Sequence, residues 1–518
     1  MKYLQQRGRL LPMLTAGVIT LGVSGLTLLA MTQPAKADPI NNTDFVMTID
    51  TTKPGISNTD QFTIPVTGGG YNYTVDCNND GIPDAVGVTG SHTCTYSDEG
   101  RHTIRIGGTF PQIYVNNAGD RLKIMSVDQW GTGAWRSMDS AFRGAENMDV
   151  KATDVPNLTN VTSLQSMFDT AHSLKGEGAN WQWNTSNVTT TANMFHGAGQ
   201  FNQNIGSWNM GNVTSAGHMF AYAGAFNNGG SSSIASWNTA KLEYADSMFE
   251  WANSFNQPIG LWNMTKAHAM VRMLANARAF NQSLAGWQLT SLQDVTGNPY
   301  AGGANMLDNT ALSVQNYDAT LTAWNNAVLK SPVTLGAAGL KYCTAEAAHV
   351  ALQKTVADGG HGWTINGDAK QCPTYTLTFN TGSGSPVPSQ TVAYTAKAVR
   401  PADPTRAGYT FAGWYADPTY LMRWDFDVHT MPNSNFTLYA KWNAVPTAPG
   451  NPGAPNQPGN PGAPNQPGQP SQPGQPGASQ GRAGSQLADT GTSLLVAIGA
   501  GVAAIISGAV LLMRKKRS

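Results

Sequence analysis

The chain has few charged residues and no excess of either sign. Only 12% of its 518 residues are Asp, Glu, Lys or Arg, and 31 basic residues balance 31 acidic ones. Because nucleic-acid-binding proteins carry basic surfaces, we expect no nucleic-acid partner. The nine histidines form no HExxH motif. Neither a GxSxG motif nor a P-loop occurs between a predicted strand and a predicted helix, which is where each of these motifs functions. We therefore predict that the protein is not an enzyme.

Charge is absent from an apolar run near the N-terminus, residues 10–31, which Lys2, Arg7 and Arg9 precede. A small-x-small cleavage pattern ends this segment at residue 37. Basic residues, an apolar run and a small-residue cleavage site are typical of a secretory signal peptide. We predict that residues 1–37 are a signal peptide and that the protein is secreted.

A second uncharged run, residues 492–513, is followed by four consecutive basic residues. At ~1.5 Å rise per residue it spans ~33 Å as a helix, about the thickness of membrane hydrocarbon. The basic tail favours a cytoplasmic C-terminus, with everything upstream outside the cell. We predict one transmembrane helix over residues 492–513, either as an ordinary C-terminal membrane anchor or as part of a longer signal that includes the residues before it.

The residues just before this run resemble the Leu-Pro-x-Thr-Gly signal of Gram-positive sortase substrates, with Ala in place of Pro. They are Leu487, Ala488, Asp489, Thr490 and Gly491. The resemblance implies that residues 487–518 are a sorting signal. It also implies that sortase is a partner and that Thr490 becomes covalently joined to peptidoglycan, so that the protein is membrane-anchored before sorting and wall-anchored after it.

Cysteine is scarce, and the four cysteines show no CxxC motif and no Cys/His spacing typical of metal sites. In an exported chain they are better explained as two disulfides. Sequence neighbours suggest Cys77 with Cys94 and Cys343 with Cys372, closing loops that stabilise by ~3 kcal/mol each in the chain-entropy model. Other pairings are formally allowed, but they connect regions about 250 residues apart.

An internal repeat occupies residues 128–325. Met-Phe or Met-Leu pairs recur every 25 to 33 residues, with an Ala three positions after every pair but the last and usually an aromatic residue three further on. This spacing predicts a short helix at each pair, and a following Trp predicts a short extended segment. No unit can bury its own apolar stripe, so stacking is required. The pairs begin at Met167, Met194, Met219, Met248, Met273 and Met306.

The predicted fold is therefore a mixed α/β repeat solenoid, similar to leucine-rich repeats. A small N-terminal β domain, residues 38–127, and a small C-terminal β-rich module, residues 373–443, flank it. A disordered Pro/Gly-rich linker, residues 444–486, is long enough to span the wall, and the transmembrane helix follows it.

The run MFHGAGQFNQNIGSWNMGNVTSAGHMF, residues 194–220, resembles the repeat of BspA-like leucine-rich-repeat surface proteins. Residues 326–372 resemble the C-terminal cap of that family. The resemblance implies surface display and adhesion, in some cases to host matrix proteins. Residues 404–442, with Gly408, Tyr409 and Trp414 in the expected places, resemble the internalin-B-type repeat, which implies a β-rich spacer.

Asparagine recurs at fixed positions in the repeats, which invites either a ligand-binding or a structural interpretation. Asn side chains bond local backbone in turns, and aligned copies can form ladders between units. We predict such ladders rather than a ligand site. The residues concerned are Asn184, Asn209, Asn238 and Asn263 after Trp, and Asn202, Asn256 and Asn281 after Phe.

Four polar side chains near the first cysteine, Asp76, Asn78, Asp80 and Asp84, are spaced like the start of a calcium-binding loop. The bidentate Glu of such a loop is missing, because Gly87 stands at its position. A polar hairpin turn explains the same residues, and we favour that explanation. Calcium is the only cofactor that the sequence suggests.

The second position after each repeat's Phe or Leu is expected to be exposed and aligned from unit to unit: Thr170, Gly197, Tyr222, Trp251 and Asn276. At a spacing of ~5 Å, Tyr222 and Trp251 could form an aromatic platform flanked by His196 and Glu250. The alternative is that the rings only pack between units.

These observations predict a secreted, cell-wall-anchored bacterial adhesin whose repeats bind an extracellular protein or glycan. A structural wall protein without a specific ligand is the alternative. A glycan-active enzyme is a third possibility, because two carboxylates can converge from distant positions.

Overall fold

The computed structural model describes residues 43–298 and 301–446. No helix within these residues is long and apolar enough to cross a membrane. The predicted signal peptide, the sorting signal with its helix over 492–513, and nearly all of the predicted Pro/Gly linker lie outside the described residues.

The N-terminal residues form strands separated by turns. Six strands pair in the order β4-β3-β6-β1-β7-β8, and β2 pairs with β5 in a separate two-stranded sheet. The last pairing of the larger sheet, β7 with β8, is parallel and brings the first repeat onto its edge. The strands are β1 Phe45–Asp50, β2 Gln61–Thr63, β3 Asn72–Asp76, β4 Ala85–Val88, β5 Thr93–Thr95, β6 Arg101–Thr109, β7 Ile124–Gln129 and β8 Asp149–Val150.

The predicted mixed α/β solenoid is wrong. Regular structure in the described residues is mostly β-sheet, and the two α-helices there, α1 (Val314–Asn325) and α2 (Glu346–Gln353), both follow the last Met-Leu pair. The units contain neither the helix predicted at each pair nor the strand predicted at each Trp. They are rich in turns, with short 3-10 helices over Asn228–Gly230, Ser232–Ser236 and Ile259–Leu261.

Backbone hydrogen bonding explains why no helix forms at the Met-Phe pairs. The N–H groups of Met219, Ala221 and Ala223 each donate to the carbonyl three residues back, at 3.0 to 3.1 Å. The intervening N–H groups instead donate to the next unit, as in the 2.9 Å bond from Phe220 to the Met248 carbonyl. An α-helix needs consecutive bonds four residues back, so it cannot coexist with this alternation.

Two positions in each unit also adopt a left-handed backbone that no helix tolerates. In two neighbouring units they are His218 (φ 58°) and Tyr222 (φ 60°), then Ser247 (φ 51°) and Trp251 (φ 59°). A left-handed conformation costs about 1–2 kcal/mol at a residue other than Gly. Because these residue types do not favour it, their sequence alone could not reveal the conformation.

Aligned side chains join the repeats into one core. Phe142, Phe168, Phe195, Phe220 and Phe249 stack in a row with successive ring centroids between 5.5 and 5.8 Å apart. Single parallel bridges run along the same direction, through Ser163, Thr190, Ser215, Tyr244, Ala269 and Gly302. The buried core that includes these rings is continuous from Phe45 to Ile365.

The residues after the repeats pair two short strands with two later ones, in parallel. β9 (Val333–Gly336) pairs with β11 (Trp363–Asn366), and β10 (Lys341–Tyr342) pairs with β12 (Ala369–Lys370). Both predicted disulfides are confirmed. Cys77 is joined to Cys94 and Cys343 to Cys372, with Cα–Cα distances of 5.7 and 4.7 Å.

The last described residues form a four-stranded sheet of order β14-β13-β16-β15, in which β13 and β16 are parallel and the other pairs antiparallel. We call residues 374–444 the C-terminal module. Its buried side chains form a core separate from that of the repeats. The strands are β13 Thr374–Asn380, β14 Gln390–Ala393, β15 Tyr409–Tyr415 and β16 Phe436–Ala444.

Candidate functional site

The predicted alignment of one position along the repeats is confirmed, but of the five residues only Tyr222 is exposed and the other four are half-buried. Thr170, Gly197, Tyr222, Trp251 and Asn276 all have a positive φ between 59° and 70°. Each of them donates its backbone N–H to a carbonyl of the next unit, at 2.7 to 2.9 Å. The left-handed backbone therefore places one variable side chain per unit in a row on the surface.

Tyr222 and Trp251 lie side by side in this row. Their ring planes are 14° apart and their centroids 6.4 Å apart. Tyr222 is 51% exposed and Trp251 is half-buried, whereas Phe220, two residues from Tyr222, is fully buried. Packing between units accounts for the inward Phe but does not account for the exposed Tyr.

Two more side chains extend the pair at its ends. The His196 ring is 5.7 Å from the Tyr222 ring at 82°, and the Arg278 guanidinium carbon is 5.3 Å from the Trp251 centroid. We call His196, Tyr222, Trp251 and Arg278 the aromatic row. Sequence reasoning missed Arg278, because its place over the indole depends on how the next unit stacks.

His196 is held by a short chain of side-chain contacts. Its Nδ1 lies 2.8 Å from Asp169 Oδ1, and the Arg143 Nε donates to Asp169 Oδ2 at 3.0 Å. Asp169 is 9% exposed in its side chain, so both contacts hold a shielded carboxylate. Glu250, the fourth predicted residue, contributes its backbone carbonyl, which accepts the Tyr222 N–H at 2.8 Å.

The predicted asparagine ladder is confirmed for the asparagines that follow Phe. Asn202 Oδ1 accepts the Asn227 N–H at 2.8 Å, and Asn227 Oδ1 accepts the Asn256 N–H at 3.0 Å. The ladder continues from Asn256 to Asn281 at 2.9 Å and from Asn281 to Ser313 at 2.7 Å. These amides satisfy the backbone of the next unit, so they are structural.

The side chains of the asparagines that follow Trp form hydrogen bonds within their own turns and not between units. Asn184, Asn209, Asn238 and Asn263 each accept, through Oδ1, the backbone N–H two residues later, at 2.9 to 3.2 Å. This arrangement is an Asx-turn, which closes the turn locally rather than linking units.

The acidic loop near Cys77 bonds mainly to its own backbone. Asp76 accepts the N–H groups of Asp80 and Gly81, at 3.2 and 2.9 Å. Asp84 accepts the Cys77 N–H at 2.7 Å, and Asn78 Oδ1 accepts the Asp80 N–H at 3.1 Å. This pattern supports the polar hairpin turn, which is the explanation favoured from sequence.

One group of three possible metal ligands converges in the described part of the chain, namely Cys77, His92 and Cys94. Because both sulfurs are joined in a disulfide, no thiolate is available there to bind a metal ion.

Family models match two regions of the chain, the internal repeats and the C-terminal module. Residues 136–233 and 230–309 match the family described as Mycoplasma protein of unknown function, DUF285. Residues 375–441 match the Listeria-Bacteroides repeat domain. Each match covers less than half of the chain.

Curated relatives are similar to this chain over short stretches. Internalin H of Listeria monocytogenes is 41% identical over 68 residues, which is 13% of this chain and 12% of that protein. A protein of Evansella cellulosilytica named as a membrane protein is 38% identical over 80 residues, 15% of this chain and 11% of its own length. A Gly-rich membrane protein of the same organism is 37% identical over 68 residues, 13% of this chain and 8% of its own length.

The chain thus spans about a tenth of the length of these relatives. Together with the repeat matches, the similarities fit a repeat protein of the bacterial surface.

Proposed function

We propose that the protein is an adhesin, and that the aromatic row binds an extracellular protein or glycan. The exposure of Tyr222 beside a half-buried Trp251 carries this proposal. Aromatic rings offer a large contact area at a low cost in conformational entropy, and Trp, Tyr and Arg are the residues enriched at binding hot spots. The row combines all three.

The backbone under the row supports the same conclusion. Tyr222 and Trp251 have φ values of 60° and 59°, in a region where Gly or Asn is ordinarily favoured. A strained residue persists where the surrounding structure imposes it, and such residues often cluster at ligand-binding sites. The bonds to the next unit impose the conformation here, and they hold both rings in place before any ligand arrives.

We also propose that the protein is displayed from the cell wall. In this proposal sortase recognises Leu487 to Gly491 and joins Thr490 to peptidoglycan, after removal of the signal peptide. Mass spectrometry of wall fragments is expected to find Thr490 as the new C-terminus. An intact tail ending at Ser518 is the result that contradicts wall anchoring.

Binding of the full-length chain to an array of matrix proteins and glycans tests the adhesin proposal. Converting Tyr222 and Trp251 together to Ala is expected to weaken binding to the ligand found at least tenfold, since hot-spot aromatic residues contribute about 2 kcal/mol or more. Tyr244→Ala is the matched control. Tyr244 is 41% exposed on the same repeats but lies outside the aromatic row.

Each outcome of this experiment separates the candidate functions. Unchanged binding by the double variant, with the same melting temperature, contradicts a role for the aromatic row. An array without any ligand favours a structural wall protein, and release of sugar from the array favours a glycan-active enzyme.

A further inference from the structure

The C-terminal module contains an open groove of about 520 Å³. Its lining comes from strand β15, from the segment that follows Arg423, and from Arg400. The groove lies in the region similar to the Listeria-Bacteroides repeat domain, and none of its lining residues belongs to the aromatic row. Its volume is within the range of small-molecule sites, which is about 300–1,000 Å³.

A β-bulge at Gly413 leaves room for the Arg423 side chain beside this groove. The pairing of β15 with β16 shifts register between Phe411 and Gly413, and Gly413 has a φ of 123°. A Cβ at Gly413 would lie 3.1 Å from the Arg423 Nε, closer than ordinary contact. The bulge, and the absence of a side chain there, therefore allow the Arg423 side chain to lie against the strand.

Polar groups at the groove are free to bind a ligand. In the described part of the chain, the Arg423 guanidinium and the Asp427 carboxylate take part in no hydrogen bond or ion pair. Among the described residues, the Asp425 carboxylate accepts only the Asp427 N–H, at 2.9 Å. Donor and acceptor side chains thus face one space and are not paired with each other.

The aromatic walls carry two further donors. Trp414 and Trp424 line the groove, are 2% and 9% exposed, and have indole N–H groups without an acceptor among the described residues. Buried N–H groups nearly always have a partner, and an exception calls for an explanation. A ligand hydroxyl in the groove would supply an acceptor if a ring movement turned either indole N–H towards it.

We propose that this groove binds a short neutral saccharide. Sugar hydroxyls both donate and accept, so they can pair with the guanidinium and the carboxylate together. The C–H faces of a sugar ring pack against aromatic side chains such as Phe411. Charges of both signs line the groove: Arg400 is paired with Asp403 at 3.2 Å, and Arg423 lies opposite Asp425 and Asp427. An ionic ligand of either sign would therefore meet a like charge.

Titration of the full-length chain with chitotriose, cellotriose and maltotriose, followed by calorimetry, tests this proposal. We expect at least one of these sugars to bind. Arg423→Gln and Asp427→Asn are each expected to weaken that binding about tenfold or more, as for a lost hydrogen bond to a charged group. Both side chains are exposed, so neither change is expected to affect folding.

Arg406→Gln removes the same charge from the module outside the groove and is expected to leave sugar binding unchanged. Its guanidinium stacks on Tyr409 instead, 3.8 Å from the ring centroid. The double variant of Tyr222 and Trp251 is also expected to bind the sugar normally, so this proposal and the adhesin proposal can fail separately. The groove proposal is overturned if none of the three sugars binds or if the groove variants bind as well as the parent.

Discussion

The repeats and the C-terminal module solve the same problem, a buried tryptophan with a polar N–H, in different ways. In the repeats, the indole N–H groups of Trp208, Trp262 and Trp287 donate to a carbonyl of the preceding unit at 2.8 to 2.9 Å, although those of Trp130, Trp135 and Trp237 have no partner among the described residues. In the C-terminal module, Trp414 and Trp424 both lack an acceptor in the described residues.

The difference shows what repetition contributes. Because the units are alike, the same carbonyl lies beside the same indole in several of them. The same hydrogen bond can therefore form in each of those units. A single module has no neighbour of its own kind and must find each partner separately. Folding leaves these donors, and the Arg423 and Asp427 side chains of the groove, without hydrogen-bond partners among the described residues. We therefore expect a ligand to bind there and to supply those partners.

Removing one ring from the phenylalanine row is expected to have the largest effect. Phe220 is fully buried and its centroid lies 5.6 Å from Phe195 and 5.5 Å from Phe249. Phe220→Ala should destabilise the repeats by about 3–5 kcal/mol through a cavity. Hydrogen exchange measured residue by residue is expected to show faster exchange in the repeats. The exchange rates in the C-terminal module should stay unchanged, because the two cores are separate.

The matched change in the other core is Phe411→Ala. Phe411 is half-buried against the core of the C-terminal module, so faster exchange is expected there alone. Equal loss of protection in both regions, from either variant, would falsify the separation of the cores.

Breaking the asparagine ladder is expected to have an intermediate effect. Asn256 Oδ1 accepts the Asn281 N–H at 2.9 Å and the Gln282 Nε2 at 3.0 Å. Asn256→Ala leaves that backbone donor unsatisfied and should cost about 1–3 kcal/mol in urea denaturation. Asn253→Ala is the control, because Asn253 is exposed and should change stability by less than about 0.5 kcal/mol. Equal effects of the two substitutions would show that the ladder adds nothing.

The smallest expected effect concerns an acid that serves only its own loop. Asp417 accepts hydrogen bonds from the Thr419 hydroxyl and from the N–H of Met422 and Leu421, which lower the pKa of its carboxyl from 3.8 to about 2. Because the folded pKa is depressed, its contribution to stability is present above pH 3.8 and is lost as the pH falls towards 2. NMR titration of the Asp417 carboxyl should give a midpoint near 2, and a midpoint near 3.8 would refute the loop contacts.

Asp417 also sharpens the contrast between the two regions. Its partners lie two to five residues away in the chain, whereas Asn256 bonds residues 25 and 26 positions away. The C-terminal module is stabilised at this point by a local contact, and the repeats by a contact with the next copy.

Several features of the site could be predicted from sequence because they depend on spacing. The repeat period placed Tyr222 and Trp251 at matching positions, and the recurrent Asn residues indicated a ladder. Neighbouring cysteines indicated both disulfides. Each prediction needed only the assumption that equivalent residues align, which stacking then provides.

Other features could not be predicted. The spacing of apolar residues by three suits a helix and a series of three-residue turns equally well, and only the bonds between units select the turns. The contact of Arg278 with Trp251 and the Arg143–Asp169–His196 chain join residues of different units. Such contacts depend on the lateral offset between units, which no periodicity contains.

The sequence by itself determined which residues repeat and which face inward, and it favoured the cysteine pairs that form, because apolar spacing and chain proximity are properties of the chain. The tertiary structure alone decided the backbone conformation of the repeats, the neighbours of the aromatic row and the groove beside the Gly413 bulge. These depend on hydrogen bonds and close approaches between segments distant in sequence, whose free energy exceeds the local preference of any single residue.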